Sequence, residues 1–505
     1  MHLGICALYA CLALAGMALA KSCPGNADPA DHGITQVYSI EGVNKFLAGV
    51  VPRIETDMES MKISDIDTVL DLGITTVDLT ISDMACSEMS MGSTTLTTLA
   101  DTQQFQAYLD HVDIEMTFSW AFQEQSFPFV SDHGTGTASA TDIHGSVIMG
   151  PAFNTACGTL DFSMEEFALD FGDIQIHLSG GASALYNAVL NTLIGLFQDL
   201  FTEQLDQLLA DAFVASVNSL TESEQPYINV EDNLRADFRF VEPGIFIDNN
   251  FVSVYFTGYG YPKSVGPTWQ KRLDDGLVPG DMDGRVNDED TQLEISRSVY
   301  ESILDAGITT DILKGVVDPR QITDPMSLSL LTTSTLASVC PGLYEAYPEG
   351  EVYLELVPSA EAVPSMTVMA SAAYLNITGT VSVSVIDGQE MVEGFRVGYS
   401  AGLAGTPFSV YDGTHKIKYP LAFSPFNTTA WSVSSEYGPV DTSGPAARQL
   451  EMMLSALAIV PYMDTWVERH APFLSVHVDF ADWDATYPVL QAPESISFCT
   501  PLLEV

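Results

Sequence analysis

The amino-acid sequence predicts an α+β fold built from two halves with a similar order of elements. Apolar residues recur with helical spacing over four stretches, which are 39–62, 182–219, 292–317 and 445–470. Between these helices, Thr, Ser, Val and Ile alternate at a period of two. Gly, Asn and Asp separate the alternating runs, as is typical of antiparallel meanders. Each half therefore has the order helix, strands, helix and strand, without a residue-level repeat between the halves.

The first predicted helix spans 39–62 and carries Phe46, Val50 and Ile54 on its apolar side. Pro52 lies within this helix. Because proline has no amide hydrogen and crowds the preceding turn, we expect it to kink the helix or to end its first part.

The second predicted helix, 182–219, is the longest. At 100° per residue, Leu190, Ile194, Phe197 and Phe201 share one narrow arc, and neighbouring apolar residues widen it to roughly half of the circumference. A helix of this length measures roughly 50 Å. It is therefore longer than one compact core requires.

The third and fourth predicted helices, 292–317 and 445–470, also have one apolar side. Their apolar positions include Val299, Ile303, Leu454 and Leu457. The clearest strand patterns between the helices are 76–81, 173–178 and 379–385.

The segment 238–261 joins the two halves. We expect two extended runs in it around Glu242-Pro243-Gly244, followed by a turn at 259–262. An acidic, glycine-rich stretch from 274 to 290 then leads into the third helix.

The N-terminus has the pattern of a secretory signal peptide. Residues 3–19 carry no formal charge, the small-residue pattern Ala18-Leu19-Ala20 follows, and Lys21 is the first basic residue. We therefore expect cleavage after Ala20 and a protein that is secreted or held in the lumen of the secretory pathway. An uncleaved N-terminal anchor is the alternative reading.

The composition is strongly acidic. The chain has 67 acidic and 18 basic residues, for a formal net charge of −49, and 46% of its residues are hydrophobic. A large core is therefore available. We expect no nucleic-acid binding, because the sequence contains no basic cluster that could neutralise phosphates.

Five cysteines follow the predicted signal peptide. They are Cys23, Cys86, Cys157, Cys340 and Cys499. A Cys340–Cys499 disulfide is one pairing that the spacing allows, although sequence alone does not fix connectivity. Asn376 and Asn427 begin Asn-X-Thr glycosylation sequons, which fit a secreted glycoprotein but also arise by chance.

Three stretches together resemble a known family. They are the strand-then-helix run that begins at 171–180, the junction 237–259 and the closing segment 466–474. In these the chain resembles the lipid-binding proteins typified by bactericidal/permeability-increasing protein (BPI), lipopolysaccharide-binding protein (LBP) and the plasma lipid-transfer proteins. The resemblance implies an elongated boomerang of two similar domains. Each domain would be a twisted antiparallel β-barrel with long helices and an apolar lipid pocket, and a central β-sheet would join the two.

The predicted domain boundaries combine this resemblance with the signal-peptide pattern. These are 1–20 for the signal peptide, 21–235 for the N-terminal lipid-binding domain, 236–290 for the central sheet and linker, and 291–505 for the C-terminal lipid-binding domain. Two features depart from the family pattern. The predicted helix 182–219 contains no cysteine for the family's disulfide, and residues 85–125 contain no Lys or Arg. We therefore expect no grip on lipopolysaccharide through a basic tip.

The expected function is the binding or transfer of a phospholipid or another neutral or zwitterionic lipid, with transient contact to membrane surfaces. No enzyme activity, cofactor or metal is expected, and the oligomeric state stays open. The helix faces give the candidate lipid contacts, which are Phe46, Val50, Ile54, Leu190, Ile194, Phe197, Phe201, Val299, Ile303, Leu454 and Leu457.

Two alternative functions stay open. Gly398-Tyr399-Ser400-Ala401-Gly402 matches the G-x-S-x-G elbow of esterases, with Asp412 and His415 following in the chain order of a triad. However, Pro407 would block the helix that an elbow requires after its serine. The other alternative is a structural surface protein with vestigial pockets.

No metal site is predicted by residue spacing. Asp281-Met282-Asp283-Gly284 has the start of a calcium loop but lacks the third Asp or Asn of that motif. The histidines are scattered, and no pair shows ligand spacing.

Overall fold

A computed structural model gives the structure of the chain. It describes residues 33–59, 65–71, 76–125, 131–154, 158–170, 172–180, 227–266, 289–369, 371–408, 410–411, 416–418, 421–454, 476–477, 487–491 and 495–500. The predicted signal peptide, the predicted helix 182–219, most of the acidic stretch 274–290 and the end of the fourth predicted helix lie outside these residues.

The described residues form mainly β-strands. The strands are β1 Ile34–Ser39, β2 Ile66–Asp71, β3 Thr76–Leu99, β4 Gln104–Glu124, β5 Ser131–Asn154, β6 Thr159–Asp170, β7 Asp173–Gly180, β8 Tyr227–Glu231, β9 Leu234–Asp237, β10 Phe240–Ile247, β11 Phe251–Phe256, β12 Gly260–Pro262, β13 Thr291–Ser296, β14 Gly315–Val317, β15 Glu351–Pro358, β16 Ser365–Met369, β17 Ala372–Asp387, β18 Glu390–Pro407, β19 Val410–Tyr411, β20 Lys416–Lys418, β21 Leu421–Ser435, β22 Val476–His477, β23 Tyr487–Gln491 and β24 Ser495–Thr500. The α-helices are α1 Ile40–Glu59, α2 Arg297–Thr309, α3 Pro325–Leu330, α4 Pro341–Ala346 and α5 Gly444–Leu454. Short 3₁₀ helices span Ala100–Thr102 and Pro319–Gln321.

A six-stranded central sheet joins the two halves of the chain. Its order is β10-β11-β1-β13-β24-β23, and every pair in it is antiparallel. β1 and β13 lie side by side at its centre, and each leads directly into a helix. A hairpin flanks each of them, β10–β11 on one side and β23–β24 on the other. The sheet therefore consists of two equivalent three-stranded parts.

The N-terminal sheet is a meander of long strands in the order β2-β3-β4-β5-β6. β7 also pairs with β5, along residues 134–141, whereas β6 pairs along 144–154. Val77, Leu79 and Ile81 are buried and alternate with more exposed polar residues along β3. This alternation places one face of the sheet in the core.

The C-terminal sheet is a similar meander, but the two short strands that share one long partner come early in it, whereas β6 and β7 come last in the N-terminal sheet. The order of the C-terminal sheet is β14-β15-β17-β18-β21, and β16 pairs with β17 beyond the end of β15. Two small sheets, β12-β9-β8 and β19-β20-β22, complete the described strands. The structure thus consists mostly of antiparallel sheets with few helices. Closure of either long sheet into a barrel stays a prediction.

Helix α1 confirms the first predicted helix but corrects the expected end at Pro52. The helix continues through Pro52 to Glu59. The carbonyl that loses its partner belongs to Ala48, an exposed residue, so water can satisfy it. The expectation that the helix ends at Pro52 was therefore wrong because the proline falls on the solvent side of the helix, whereas a kink there stays a prediction.

The third predicted helix begins later than expected. Residues 291–296 form β13, which pairs with both β1 and β24, and only Arg297–Thr309 is helical. Nearly all residues of β13 are buried. A strand that is buried on both faces loses its alternation, so its apolar residues resemble a helical pattern.

Two expectations for the junction between the halves also change. Glu242-Pro243-Gly244 lies within β10, where the register shifts and Gly244 has a φ of +79°. The expected turn at 259–262 instead contains β12, which pairs with β9. A left-handed glycine allows the strand to bulge and continue.

The Cys340–Cys499 disulfide is not formed. Cys340 is a buried free thiol at the start of α4, with its Sγ 3.9 Å from Ser435 Oγ. Cys499 lies on β24 in the central sheet. The two cysteines therefore belong to different layers of the structure.

None of the described helices combines the length and the apolar character that crossing a membrane requires.

Candidate functional site

The buried face of the N-terminal sheet is rich in methionine and aromatic side chains. The buried methionines are Met84, Met89, Met91, Met116 and Met149, and the buried aromatics include Phe105, Phe118, Trp120, Phe122 and Phe162. Methionine is unbranched and polarisable, so it adapts to irregular apolar partners. This face can therefore rearrange around an apolar ligand more readily than a face of branched residues.

The aromatic rings of this face lie over glycines of the neighbouring strand. Phe118 faces Gly136 and Trp120 faces Gly134 across β4 and β5. A Cβ at Gly136 would lie 2.3 Å from Phe118 Cζ, and one at Gly134 would lie 2.9 Å from Trp120 Cζ2. The Trp120 indole donates to the Thr135 carbonyl at 3.1 Å. These rings therefore pack along the sheet.

Helix α1 is anchored to the edge of β3 by polar side chains. The Asn44 amide donates to the Leu96 carbonyl at 2.9 Å and accepts from the Leu96 N–H at 2.6 Å. Glu55 accepts from the Met91 N–H at 2.6 Å. Beyond Ile81, β2 no longer pairs with β3, so these bonds satisfy backbone groups of an edge that no described strand covers. Helix α1 thereby takes a fixed position over the apolar face.

Valine is the most frequent residue on the described buried face of the C-terminal sheet. Its buried valines are Val352, Val368, Val381, Val383, Val385 and Val397. Branching at Cβ leaves these side chains few rotamers. The C-terminal face is accordingly stiffer than the N-terminal face.

Val299 and Ile303, two predicted lipid contacts on α2, pack against protein. Val299 is 0% exposed and Ile303 is 3% exposed. A Cβ at Gly33 would lie 2.5 Å from Val299 Cγ2, and one at Gly260 would lie 2.7 Å from the Cα of Ile303. These glycines let α2 approach the backbone of the strands closely. Both side chains thus fill the junction between α2 and the central region.

The other predicted lipid contacts cannot be placed by their side chains. Phe46, Val50 and Ile54 lie in α1 and Leu454 lies in α5, but their side chains are outside the described part of the structure. Leu190, Ile194, Phe197, Phe201 and Leu457 lie outside the described residues altogether. The assignment of these residues to a lipid site stays a prediction.

Ser400 lies inside β18, which continues to Pro407. Its neighbours Tyr399 and Ala401 are buried, so the Ser400 side chain points to the opposite face of the sheet. A nucleophile elbow needs a sharp turn into a helix at this point. The sequence match therefore lacks its structural context. Asp412 and His415 lie outside the described residues.

The glycosylation sequons fall on two strands of the C-terminal sheet. Asn376 is exposed on β17. Asn427 lies on β21, and its side chain is outside the described part of the structure. Their modification stays a prediction.

One polar cluster was missed by the sequence analysis. The structure brings Asp110 and His111 of β4 next to Asp142 and His144 of β5. The signal in the sequence is two short Asp/His groups, 110–113 and 142–144, on neighbouring strands. Residue spacing alone did not reveal the cluster because its members are joined only by strand pairing.

Comparison with known proteins gives two informative matches. A BPI/LBP family protein of Arabidopsis thaliana is 22% identical over 363 residues, which cover 69% of this chain and 68% of the relative. The crystal structure of lipopolysaccharide binding protein matches with a TM-score of 0.52 at 12% identity. That match covers 94% of this chain and 100% of the other. The resemblance to the BPI/LBP family is confirmed.

Other comparisons add no argument about this BPI/LBP-like chain. No family profile matches it. The structure of P47 from Clostridium botulinum A2 covers 93% of this chain and 97% of its own length, at 10% identity, but its TM-score is only 0.25. The BPI/LBP-like fold therefore rests on the Arabidopsis relative, on lipopolysaccharide binding protein and on the sheet topology described above.

Proposed function

We propose that this protein binds lipid in the apolar interior of its two halves. The observation that carries the proposal is the pair of long antiparallel sheets with one buried apolar face each, in the fold of lipopolysaccharide binding protein. The name of that protein states a lipid ligand. Burial of an acyl chain contributes about 0.8 kcal/mol for each CH₂ group, so a modest apolar cavity would suffice for tight binding.

The proposed ligand is a neutral or zwitterionic lipid such as phosphatidylcholine. From residue 63 to residue 234 the sequence contains no Lys or Arg, and this interval includes the whole N-terminal sheet. Lipopolysaccharide and acidic phospholipids carry phosphates that need basic partners. A net charge of −49 also opposes the approach of anionic membranes. Charge therefore favours lipids without net negative charge.

The proposed mode of action is binding or transfer rather than catalysis. Ser400 lies in mid-strand, without the turn and helix that would activate a serine. We also propose that the protein acts in the secretory pathway or outside the cell after cleavage at Ala20. N-terminal sequencing of the mature chain tests that proposal.

Lipid extraction tests the proposed function directly. The full chain, purified from a secretory eukaryotic host, is extracted with organic solvent and the extract is identified by mass spectrometry. We expect a co-purified phospholipid and uptake of labelled phosphatidylcholine that exceeds uptake of labelled phosphatidylglycerol. Absence of both lipid and uptake would contradict the proposal, whereas preferential uptake of the anionic lipid would contradict the charge argument alone.

A matched pair of variants locates the ligand. Ala140 is fully buried on β5, whereas Ala168 is exposed on β6 of the same sheet. Ala140→Phe fills the interior and should reduce phosphatidylcholine uptake, whereas Ala168→Phe should leave it unchanged. Equal uptake by both folded variants would place the lipid away from this face.

A further inference from the structure

The Asp110–His111–His144 cluster lies where two neighbouring strands, β4 and β5, bulge at the same level. The register of β4 against β5 shifts between Leu109 and Val112, and β5 bulges at Asp142. His111 and Asp142 have φ values of 57° and 58°, in the left-handed region. β-bulges redirect side chains out of the regular alternation, and here they turn residues of both strands toward each other.

Asp142 orients both imidazole rings of the cluster. Its Oδ1 lies 2.5 Å from His111 Nδ1 and 3.2 Å from His144 Nε2. When these nitrogens donate to the carboxylate, the lone pairs are on His111 Nε2 and His144 Nδ1. Metal-ligating histidines are commonly fixed in this way by a carboxylate behind the ring.

Asp110 faces the two nitrogens that remain. Its Oδ1 lies 2.5 Å from His144 Nδ1 and its Oδ2 lies 3.8 Å from His111 Nε2. One ligand atom from each of Asp110, His111 and His144 lies within 4.8 Å of the others. Ligand atoms around tetrahedral zinc are about 3.3 Å apart. A bound ion would displace the proton that joins His144 Nδ1 to Asp110, and small side-chain movements at this exposed site would then bring the three atoms to that spacing.

The charge around the cluster also favours a cation. Asp113 accepts from the Asp142 N–H at 2.9 Å, so three aspartates converge here. Lys and Arg are absent from the sequence between residues 63 and 234. Positive charge for these carboxylates can come from protonated imidazole or from a bound ion. Imidazole nitrogens select Zn²⁺, Cu²⁺ or Ni²⁺ over Ca²⁺ and Mg²⁺, which prefer oxygen ligands.

We propose that Asp110, His111 and His144 form a binding site for a divalent transition-metal ion of the Zn²⁺ class, with Asp142 as the residue that positions both histidines. Water molecules would occupy the remaining coordination positions of the ion. The site lies on the outside of the N-terminal sheet, so its occupation is independent of a lipid in the interior. It differs from the absence of a metal expected from the sequence, because strand pairing and two bulges create it.

Zinc titration of the full chain tests this site. Isothermal titration near neutral pH, after removal of metals with EDTA, should show one site tighter than the background of surface carboxylates. His111→Ala and His144→Ala should each weaken it by about tenfold or more, and Asp142→Asn by about 10- to 100-fold. His133→Ala, an exposed histidine on the same strand as His144, should leave the affinity unchanged. Excess Ca²⁺ should not displace the zinc.

A second measurement covers variants that fail to fold. In the wild-type chain, zinc should move the ring signals of His111 and His144 in histidine-selective NMR, and those of His133 should stay in place. Unchanged zinc affinity in the folded His111→Ala and His144→Ala variants would overturn the proposal. Displacement of zinc by Ca²⁺, or NMR shifts confined to other histidines, would overturn it as well.

Discussion

The two halves of the molecule share a plan but differ in what fills them. In each half a central strand leads into a helix whose fifth residue accepts a hydrogen bond from the edge of the half's own sheet. Asn44 of α1 accepts from Leu96 N–H, and Glu301 of α2 accepts from Met366 N–H. The buried face behind α1 is rich in methionine and aromatics, whereas valine is the most frequent residue on that of the C-terminal sheet. One topology thus supports an adaptable interior and a stiff one.

These contacts at the sheet edges explain how both halves keep the same arrangement of helix and sheet although their buried faces differ in residue type. They fix each helix through the backbone N–H groups of a strand. Because any residue except proline supplies such a group, the side chains on the buried face of each sheet are free to vary. The methionine-rich half is therefore the better candidate for ligands of irregular shape. The valine-rich half is the better candidate for a structural role.

The largest expected effect, a loss of stability, is predicted from two Asp-x-Arg pairs of similar local geometry. In each pair the backbone N–H of the arginine donates to the aspartate Oδ1 at 3.0 Å, and the guanidinium of the same arginine binds the same carboxylate. The Asp237–Arg239 pair is buried beside the central sheet, whereas Arg320 of the C-terminal half is 56% exposed. Arg239→Met leaves Asp237 buried without its cation, which should cost about 3–5 kcal/mol of unfolding free energy. Urea denaturation of the wild-type chain and of Arg239→Met measures this loss of unfolding free energy.

Arg320→Met is the matched control. Its partner Asp318 is buried beneath an exposed guanidinium, so water can take the place of the lost cation and the midpoint of denaturation should not move measurably. Adding Asp237→Asn to Arg239→Met should recover part of the loss, because the orphaned charge is removed. Equal effects of Arg239→Met and Arg320→Met would show that burial does not distinguish the two pairs.

The next effect concerns the ring-over-glycine packing that both halves use. Phe118 covers Gly136 in the N-terminal sheet, and Tyr399 covers Gly379 in the C-terminal sheet. Gly136→Ala would place a Cβ 2.3 Å from Phe118 Cζ, so we expect a loss of about 1–3 kcal/mol. The control is Gly150→Ala on the same strand, where the nearest atom would be 3.6 Å away. Thermal denaturation that fails to separate the two variants would contradict this packing.

The same comparison shows which elements could be predicted from sequence. The strands at 76–81, 173–178 and 379–385 are confirmed, because one face of each is more buried than the other and the alternation is visible. β13 was predicted as helix because residues on both of its faces are buried, so the alternation of a strand is not visible in its sequence. The link between His111 and His144 was not predictable, since it depends on bulges that shift β4 against β5.

The smallest expected effect is the titration of His111, for which the structure describes no equivalent in the C-terminal half. The hydrogen bond that His111 donates to Asp142, followed by the charge of Asp110, raises the pKa of His111 above its ordinary value. The same hydrogen bond lowers the pKa of Asp142. The pair therefore stabilises the fold between the two pKa values. The contribution of His111 disappears as pH rises through its raised pKa, and that of Asp142 disappears as pH falls through its lowered pKa.

Histidine NMR in the presence of EDTA measures this shift without interference from metal. The pKa of His111 should lie above the ordinary histidine value, and Asp142→Asn should bring it back toward that value. If the pKa of His111 stayed high in Asp142→Asn, Asp110 and Asp113 would be its main partners. The bulges of the N-terminal sheet would then hold an acidic surface rather than an oriented imidazole pair. The pKa of His111 in Asp142→Asn therefore decides between two descriptions of the N-terminal half. Either Asp142 orients the imidazole rings there, or the N-terminal half differs from the C-terminal half at this point only in its negative charge.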